Sequence, residues 1–517
     1  MLSRLLLLLC LIATPTLAQQ KVLRVVPSAD LRVLDPQYSV VITRIHAMMI
    51  YDTLFSWDSK QQPRPQMVES YTTSEDGLLW RFTLRPGLRF HDGQDVTTAD
   101  VVASLKRWMA RDIVGTKLAS YIATMEADDP RTFSIRLSKP APFMLFALGS
   151  AIGRVPFILR ASDAATDAGT PITTTIGSGP FRFNRDQWLS GQRVVYDRNT
   201  DYVPRSEPPD GLAGGHVVKV DRVEWNIMPD SSTAAAALQA GEVDLWEQAA
   251  ADLLPVLERS RNIVVDRAAP LPNQGLLRPN GLLPPFNDAR ARLALAYIVD
   301  QNDTLAAGVG DEKWWRTCES YYICGGPLGT TAGTEAYAKP DLEKARQLLA
   351  ASGYKGEKIV FITTNEIPWM GRMAEVVADR LRAIGANVDL QYSDWGTVVT
   401  RLPNQGPTDK GGWNLFVTGS SGTTMAHPLT NLATDMSCNR TNFSGWVCDE
   451  EVERLRQAFL DAPEAGRDAA LTALHRRLAE VQPYRILGQW DIPYARRSNI
   501  TPVLPAAVMV YWNIEKK

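Results

Sequence analysis

The stretch Trp80–Trp108, WRFTLRPGLRFHDGQDVTTADVVASLKRW, is the most informative part of this chain. Its first five residues, WRFTL, alternate apolar and polar side chains, which is the period of a half-buried strand. Pro86-Gly87 then ends that strand, because this dipeptide marks a turn. Thr98 can cap a helix that begins near Ala99, with an acidic residue in its first turn. The stretch therefore predicts a strand, a turn, a loop and a helix in close succession.

The same patterns predict α/β structure on both sides of this stretch. Strands are predicted at Val22–Val26, Phe133–Leu137, Arg193–Tyr196, Asp221–Asn226, Lys358–Thr363, Asn387–Gln391, Ile486–Gln489 and Val508–Trp512. Further helices are predicted at Ile42–Tyr51, Thr233–Gln239, Arg290–Val299, Asp341–Ala351, Met370–Ile384, Glu451–Phe459 and Ala469–Val481. Strands that alternate with helices in this way indicate βαβ units with right-handed crossovers.

Several short motifs carry a resemblance that extends along nearly the whole chain. Besides Trp80–Trp108 they are Leu34–Pro36, Tyr51–Phe55, Gly177–Phe181, Ala237–Asp244, Arg292–Asp300 and Asp341–Leu349. In this order and spacing, the sequence resembles the extracytoplasmic solute-binding proteins of ABC importers, family 5, which carry dipeptides, oligopeptides and nickel complexes. Because such motifs mostly serve folding, they identify the scaffold better than the ligand.

The resemblance implies an α/β fold with two lobes, that of a class II, cluster C periplasmic binding protein. It implies a first lobe at residues 19–270, with an extra subdomain at about 56–190, and a second lobe at 271–485. Residues 486–517 are expected to return to the first lobe. The two crossings between the lobes are expected near Ala269–Arg278 and Tyr484–Trp490, with closure about this hinge.

The first 20 residues, MLSRLLLLLCLIATPTLAQQ, have the pattern of a secretory signal peptide. Arg4 gives a short positive region and Leu5–Ile12 an apolar core that is too short to span a bilayer. Small residues precede Ala18, after which we expect cleavage, so residues 1–18 are the predicted signal peptide. A lipoprotein function for Cys10 is the alternative, but only leucines directly precede it. The pattern predicts export to the periplasm.

The composition excludes one class of function and supports export. Charged residues make up 22% of the 517 residues and the net charge is −2, whereas nucleic-acid binding needs a strongly basic surface. Beyond the predicted signal peptide, the cysteines form two close pairs, Cys318 with Cys324 and Cys438 with Cys448. Close pairs are typical of local disulfides in an oxidising compartment. A four-thiolate zinc site is the alternative, although the Cys-x-x-Cys spacing is missing.

We find no catalytic signature and therefore expect no enzymatic activity and no cofactor. The sequence lacks a Gly-x-Ser-x-Gly elbow, a P-loop, a His-Glu-x-x-His motif and a Gly-x-Gly-x-x-Gly after a strand. The five histidines lie far apart, so we predict no metal site. Asp92 and Asp95 beside His91 would permit a metal cluster, but we interpret them as the turn after the strand.

Ligand contacts in the family come from the first loop, the first crossing and the loops that follow second-lobe strands. The residues predicted on this basis are Tyr38, Asn273, Gln274, Glu366, Trp369, Trp395, Arg401, Gly419, Ser420, Ser421, Thr423 and His427. Trp395 matches a tryptophan that lines the family's pocket, with a core tryptophan as the alternative. Arg401 lies one residue from the register of an arginine used in some members and would hold a carboxylate or phosphate. A solvated helix face is the alternative for Arg401.

One stretch departs from the peptide-binding relatives. Those relatives place an aspartate for the peptide amino group after the strand that begins Trp413–Pro428, WNLFVTGSSGTTMAHP, but this stretch has no acidic residue. Because a buried ammonium without a counter-charge is costly, an ordinary zwitterionic peptide is in doubt. If the ligand does have a free amine, Glu366 is the nearest carboxylate that the sequence offers. Otherwise the neutral groups of this loop suit hydroxyls, amides or an anion.

The sequence therefore predicts a periplasmic, monomeric substrate-binding component of an ABC importer. It captures a peptide, or a non-peptide such as an opine or a glycoside, in the cleft between the lobes and delivers it to the permease. A secreted hydrolase that acts on peptide or cell-wall material is one alternative. A carrier of metal chelates or haem is another, because His427 lies in a loop where nickel-binding relatives have a histidine.

Overall fold

The computed structural model describes residues 20–38, 40–439 and 445–517. The predicted signal peptide at residues 1–18, with Cys10, lies outside the described residues. Among the helices of the described ranges, none is both long and apolar enough to cross a membrane.

The first lobe is built on a mixed seven-stranded sheet. In spatial order its strands are Ile263–Arg267, Pro493–Arg497, Leu245–Trp246, Val22–Val26, Arg222–Asn226, Arg193–Arg198 and Phe181–Phe183. Val22–Val26 is central and pairs in parallel with a neighbour on each side. Its buried apolar residues contribute to the core beneath this sheet, as its sequence pattern predicts.

The second lobe is built on a mixed six-stranded sheet. Its strands, in spatial order, are Trp315–Arg316, Arg485–Trp490, Asn273–Pro279, Leu415–Ser420, Ile359–Thr363 and Val388–Tyr392. The last two pair in parallel and are joined by the helix Pro368–Ala383, which confirms the predicted βαβ unit. Gly385 adopts a left-handed conformation after this helix (φ 90°), as a C-terminal cap requires.

The inserted subdomain contains Trp80–Trp108, the most informative stretch of the sequence. A four-stranded sheet has the order Val68–Thr73, Leu79–Leu84, Thr132–Leu137 and Ile122–Ala127, and a short hairpin pairs Phe55–Trp57 with Pro63–Pro65. The predicted strand and helix are both present, the helix at Thr98–Met109. Its cap is Thr97, one residue before the predicted Thr98, because the Asp100 carboxylate accepts hydrogen bonds from the Thr97 amide and hydroxyl (both 2.8 Å). Phe181–Phe183, near the end of the predicted range of about 56–190, pairs in the first sheet.

Two short crossings join the lobes. Residues 268–272 connect Ile263–Arg267 of the first sheet to Asn273–Pro279 of the second, and residues 491–492 connect Arg485–Trp490 back to Pro493–Arg497. The predicted return begins at residue 486, which lies in the strand Arg485–Trp490 of the second sheet. Similarly, most of the predicted crossing near Ala269–Arg278 is a paired central strand.

The remaining helices surround the sheets. They are Val41–Ile50, Ile113–Ala119, Met144–Leu148, Ala161–Ala164, Ser231–Ala240, Leu254–Glu258, Ala289–Ile298, Gln301–Gly308, Leu342–Ala351, Trp395–Arg401, Gly422–Met425, Glu450–Asp461 and Glu464–Val481. Short 3-10 turns lie at Arg185–Gln187, Ala251–Leu253, Glu312–Trp314, Glu335–Tyr337, Thr408–Lys410 and Leu432–Thr434.

The predicted strand Val508–Trp512 is wrong. The segment is irregular and packs on the first-lobe core, where Trp512 stacks on His216 with ring centroids 3.9 Å apart. Burial in the core, and not strand pairing, explains the apolar residues of this segment. A short apolar run in a sequence does not distinguish these two causes.

Both predicted disulfides are present. Cys318 is bonded to Cys324 and Cys438 to Cys448. Because all four cysteines are bonded in these pairs, they leave no thiolates for the alternative of a four-thiolate zinc site.

A candidate ligand-binding cavity between the lobes

A cavity of about 600 Å³ lies where the two lobes meet at the crossings. The first lobe contributes Val41, Arg44, Ile45, Gly153, Glu247, Gln248 and Ala506–Met509. The second contributes Asn273, Trp369, Gly419, Ser420, Ser421, Thr424 and Trp490. The crossings themselves contribute Ala268, Ala269, Leu271, Pro272 and Ile492. Because both lobes and both crossings form the wall, any change in the hinge changes the shape of the cavity.

Five of the predicted ligand-binding residues line this cavity: Asn273, Trp369, Gly419, Ser420 and Ser421. The sheet brings them together because the strands Asn273–Pro279 and Leu415–Ser420 are antiparallel neighbours, so that the start of one lies beside the end of the other. In the part of the chain that the structure describes, the Asn273 amide and the Ser420 hydroxyl form no side-chain hydrogen bond. These polar groups are free to bind a solute.

Two tryptophans form an aromatic wall on the second-lobe side. The rings of Trp369 and Trp490 have centroids 4.8 Å apart and are tilted by 52°. Gly419 lies directly against them, since a Cβ at this position would be 2.9 Å from Trp369 Cη2 and 3.2 Å from Trp490 Cη2. The glycine therefore lets both ring edges approach the strand, and any side chain here would displace them.

Arg44 is a buried cation on the first-lobe side of the cavity. It lies on the helix Val41–Ile50 and is only 8% exposed. Among the described residues no carboxylate forms an ion pair with its guanidinium, and its buried Nε has no hydrogen-bond partner. Burial lowers the pKa of Arg44 to about 10, and the charge of Asp112 opposes this shift. The guanidinium is therefore charged at neutral pH.

Glu247 is a buried carboxyl group in the same wall. It follows the short strand Leu245–Trp246 and is 6% exposed. Its Oε2 accepts a hydrogen bond from the Ser28 amide (2.7 Å), and in the described ranges no cation forms an ion pair with it. Burial raises the pKa of Glu247 to about 7, while the bonds from Ser28 oppose the shift. The two charged residues do not form an ion pair with each other.

Three predicted contacts with charged or aromatic side chains lie outside the cavity wall. Glu366 accepts a hydrogen bond from the Trp395 amide (2.9 Å) at the start of the helix Trp395–Arg401. The Trp395 ring packs against the apolar core of the second lobe. The Arg401 guanidinium donates to the carbonyls of Gly411 (2.7 Å) and Gly412 (3.0 Å). Each of these side chains thus has a partner within its own lobe.

The other four predicted contacts also lie outside the wall. Tyr38 is half-buried in a turn, and Thr423 is buried while its neighbour Thr424 faces the cavity. The buried Gln274 amide donates to the Ser320 carbonyl (3.0 Å). His427 stacks on Phe146 with ring centroids 4.3 Å apart, and burial lowers its pKa to about 3. No group of three His, Cys, Asp or Glu side chains is placed to hold a metal ion among the described residues.

Sequence reasoning missed the two charges, although each has a recognisable signal. Arg44 is the only arginine or lysine in the apolar helix sequence VITRIHAMMI, and Glu247 directly follows a buried strand. A lone charge in an apolar segment is rarely buried without a partner. Only the fold shows that the two face the same cavity.

Two mixed sheets joined by adjacent crossings, with a cavity at the junction, define a two-lobed periplasmic binding protein. The model of the family described as "Bacterial extracellular solute-binding proteins, family 5 Middle" matches residues 62–443. The chain therefore belongs to family 5 of the bacterial extracellular solute-binding proteins, which confirms the resemblance seen in the sequence.

Individual relatives agree with this assignment. The chain is 39% identical over 499 residues to the "Probable peptide ABC transporter periplasmic-binding protein y4tO" of Sinorhizobium fredii, covering 94% of this chain and 92% of the relative. It is 26% identical to the glutathione-binding protein GsiB of Escherichia coli K12, covering 76% and 73% of the two chains. The structure of AgaA of A. tumefaciens R10 in complex with agropinic acid is similar at a TM-score of 0.77 and 24% identity, covering 96% of this chain and 99% of AgaA. The likeness to AgaA shows the fold.

The chain is thus a substrate-binding component of an ABC transporter and not an enzyme. Solute-binding proteins of this kind act outside the cytoplasm, bind small solutes and deliver them to a permease. Nothing in the fold, the cavity or the relatives supports the alternative of a secreted hydrolase.

Proposed function

We propose that the interlobe cavity is the ligand site of a monomeric periplasmic protein that carries a small polar solute to its ABC permease. The solute is peptide-like, or an opine or glycoside of similar size, and the leader at residues 1–18 directs export. The observation that carries this proposal is the combination of an aromatic wall with polar groups that have no protein partner in the described chain, above all Asn273 and Ser420.

The size of the cavity supports a solute of modest dimensions. Its volume of about 600 Å³ lies within the range of about 300–1,000 Å³ that is usual for small-molecule sites. Trp369 and Trp490 offer apolar faces from which water is readily displaced, whereas Asn273, Ser420 and Ser421 offer neutral donors and acceptors. This mixture suits an organic molecule with several polar groups better than a bare ion.

The position of the cavity supports a closure mechanism. A solute that contacts Trp369 on one lobe and Arg44 on the other bridges the hinge, and so stabilises the arrangement in which the lobes are together. A ligand shifts such an equilibrium by as much as its affinity differs between the two states. The closed, loaded form is the form that we propose for delivery to the permease.

A thermal-shift screen tests this function. Dipeptides, glutathione, agropinic acid and simple glycosides are added separately to the purified mature protein. At a concentration about 100-fold above its dissociation constant, a true ligand adds about 2.7 kcal/mol to the free energy of unfolding and raises the melting temperature. Mass spectrometry of the same samples must recover the probe unchanged. Turnover of any probe would contradict the carrier function.

A matched pair of glycine variants tests the site. Gly419→Ala would push against both tryptophan rings, so it should weaken binding of the best probe at least about tenfold. Gly466→Ala is the control, because a Cβ there meets its nearest neighbour, Pro463 Cδ, only at 4.0 Å. Equal affinities of the two variants would place the ligand elsewhere.

A further inference from the structure

A second contact between the lobes involves neither crossing. The helix Glu450–Asp461 of the second lobe packs against the inserted subdomain of the first lobe. One hydrophobic cluster contains side chains from both, among them Leu118 and Phe143 of the subdomain and Phe459 and Leu460 of the helix. The two lobes therefore share a packed interface in addition to the cavity between them.

The Tyr121 hydroxyl joins the two sides of this interface. Tyr121 belongs to the subdomain and is 1% exposed. Its hydroxyl donates to Asp461 Oδ1 (2.7 Å) and accepts from Gln457 Nε2 (2.6 Å), and both partners lie on the second-lobe helix. Lys139 Nζ lies 3.2 Å from Asp461 Oδ2 and 4.2 Å from the centroid of the Tyr121 ring. The hydroxyl thus uses its donor and an acceptor position across the lobe boundary.

An aromatic stack crosses the same boundary. Trp57, which packs in the first-lobe core, stacks on Phe146 with ring centroids 4.6 Å apart. Phe146 stacks on His427 of the second lobe (4.3 Å), and His427 meets the Phe459 ring edge-on (5.4 Å). The Leu429 amide donates to His427 Nδ1 (3.0 Å), so this ring is held by its own lobe. Rings therefore form a continuous path from the first-lobe core to the second-lobe helix.

The subdomain is fixed to the rest of the first lobe. Arg107 of its helix Thr98–Met109 pairs with Asp35 (3.0 Å), and both residues are buried. The Ile172 amide donates to the same carboxylate (3.0 Å). Breaking a buried ion pair is strongly unfavourable, so the subdomain should move together with the first lobe. Its contact with the second-lobe helix then exists only while the lobes are together.

We propose that this contact is a latch that holds the lobes together without touching the solute. The interlobe latch consists of Tyr121, Lys139 and Phe146 on the subdomain and His427, Gln457 and Asp461 on the second lobe. None of these six is among the described residues that line the cavity. Every contact in the interlobe latch joins protein atoms, so it favours the closed arrangement whatever solute is bound. Tyr121 is thus a positioning residue, which acts on the solute only through the relative position of the lobes.

The interlobe latch has a distinct effect on affinity. This inference rests on the proposed function, because it takes the interlobe cavity as the ligand site. When only a fraction of a protein is competent to bind, its apparent affinity falls by that fraction. Loss of the interlobe latch lowers the closed fraction and should weaken binding of every solute by the same factor. A residue that touches the solute changes affinity by a factor that depends on the solute instead.

Distances between spin labels, measured by double electron–electron resonance without added solute, test the interlobe latch directly. The labels are placed on Glu126→Cys in the subdomain and Lys344→Cys in the second lobe, both exposed, while the native cysteines of the described chain are disulfide-bonded. Tyr121→Phe keeps the ring but removes the hydroxyl, so it should increase the fraction of long distances. Tyr337→Phe is the matched control and should reproduce the wild-type distances, because its hydroxyl donates to the Ala479 carbonyl (2.9 Å) within the second lobe.

Calorimetry then measures the effect on binding. The probes are those dipeptides, glutathione, agropinic acid or glycosides that stabilise the wild-type protein. Tyr121→Phe should lower the affinity for each of them at least about fivefold and by a common factor, the loss expected for one hydrogen bond. Tyr337→Phe should leave the affinities unchanged. In an Asp461→Ala protein the same Tyr121→Phe change should cost less, because both substitutions remove one link.

The outcomes separate the interlobe latch from the ligand site. Wild-type distances in Tyr121→Phe would overturn the interlobe latch, even if affinity fell. Longer distances with unchanged affinity would also overturn it, and so would a loss that differs from probe to probe, since Tyr121 would then act on the solute itself. Failure of every probe to bind would refute the proposed function, whereas the label distances would still decide whether the interlobe latch exists.

Discussion

The substitution Glu247→Gln should make the ligand-free protein more stable at neutral and alkaline pH. Most buried carboxylates stabilise a fold through a partner, but Glu247 accepts a bond from the Ser28 amide and has no cationic partner in the described chain. Glutamine keeps the shape and can still accept that bond. It removes only the charge, whose burial is unfavourable.

The magnitude follows from the pKa. Burial raises the pKa of Glu247 from its ordinary value of 4.5 to about 7 in the folded protein. A carboxyl with a higher pKa in the folded state holds its proton more tightly when folded, so the free energy of unfolding falls as the pH rises between these two values. At about 1.4 kcal/mol per pH unit, the loss amounts to about 3 kcal/mol above pH 7. The Glu247→Gln variant has no ionisable group at this position, so its free energy of unfolding does not fall in this way.

Urea denaturation of both proteins between pH 4 and pH 8.5 measures the effect. The difference in the free energy of unfolding should be small near pH 4 and should grow in favour of the variant up to about pH 7. Asp244→Asn is the matched control, since it leaves Lys516 without its partner and should be destabilising at neutral pH. A Glu247→Gln protein that is less stable than wild type at pH 8 would show that Glu247 has a structural partner, and would refute the reasoning.

Two further predictions concern residues that the sequence singled out. Trp369→Ala should weaken binding of the best probe at least about tenfold, whereas Trp395→Ala and Glu366→Gln should each change it less than about threefold, because of these three residues only Trp369 lines the cavity. Calorimetry showing the reverse order would place the ligand at Trp395 and Glu366 instead. Mass mapping of non-reduced peptides from the secreted protein should recover Cys318 joined to Cys324 and Cys438 joined to Cys448, and free thiols or bound zinc would contradict this.

The scaffold was largely readable from the sequence because its signals are local. Each of three signals predicts the structure of its own segment. They are the alternation at WRFTL, the glycine after the helix Pro368–Ala383 and the apolar run of the strand Ile359–Thr363. Errors occurred where the local pattern was ambiguous. Val508–Trp512 has the apolar residues of a strand but is buried as irregular chain, and the first crossing was placed on a strand because proline and asparagine suggested a hinge.

The lining of the cavity could be predicted only in part, for a different reason. Asn273, Ser420 and Trp369 follow from their position at the ends of neighbouring second-lobe strands and in the adjacent loop. The contacts placed on Trp395, Arg401 and His427 depend on the exact direction of each side chain, and these side chains turn to partners of their own: apolar core, backbone carbonyls and Phe146.

The charge of the ligand could not be read from any one segment. The acid-free stretch Trp413–Pro428 suggested a neutral or anionic ligand, since the amine of a peptide would have no counter-charge there. That reasoning holds only for one wall of the cavity. Arg44 and Glu247 are about two hundred residues apart in the chain and come from a helix and a strand end of the other lobe, yet they face the same space. Charge complementarity is a property of the whole cavity, so a counter-charge that is missing from one loop is informative only after every wall has been examined.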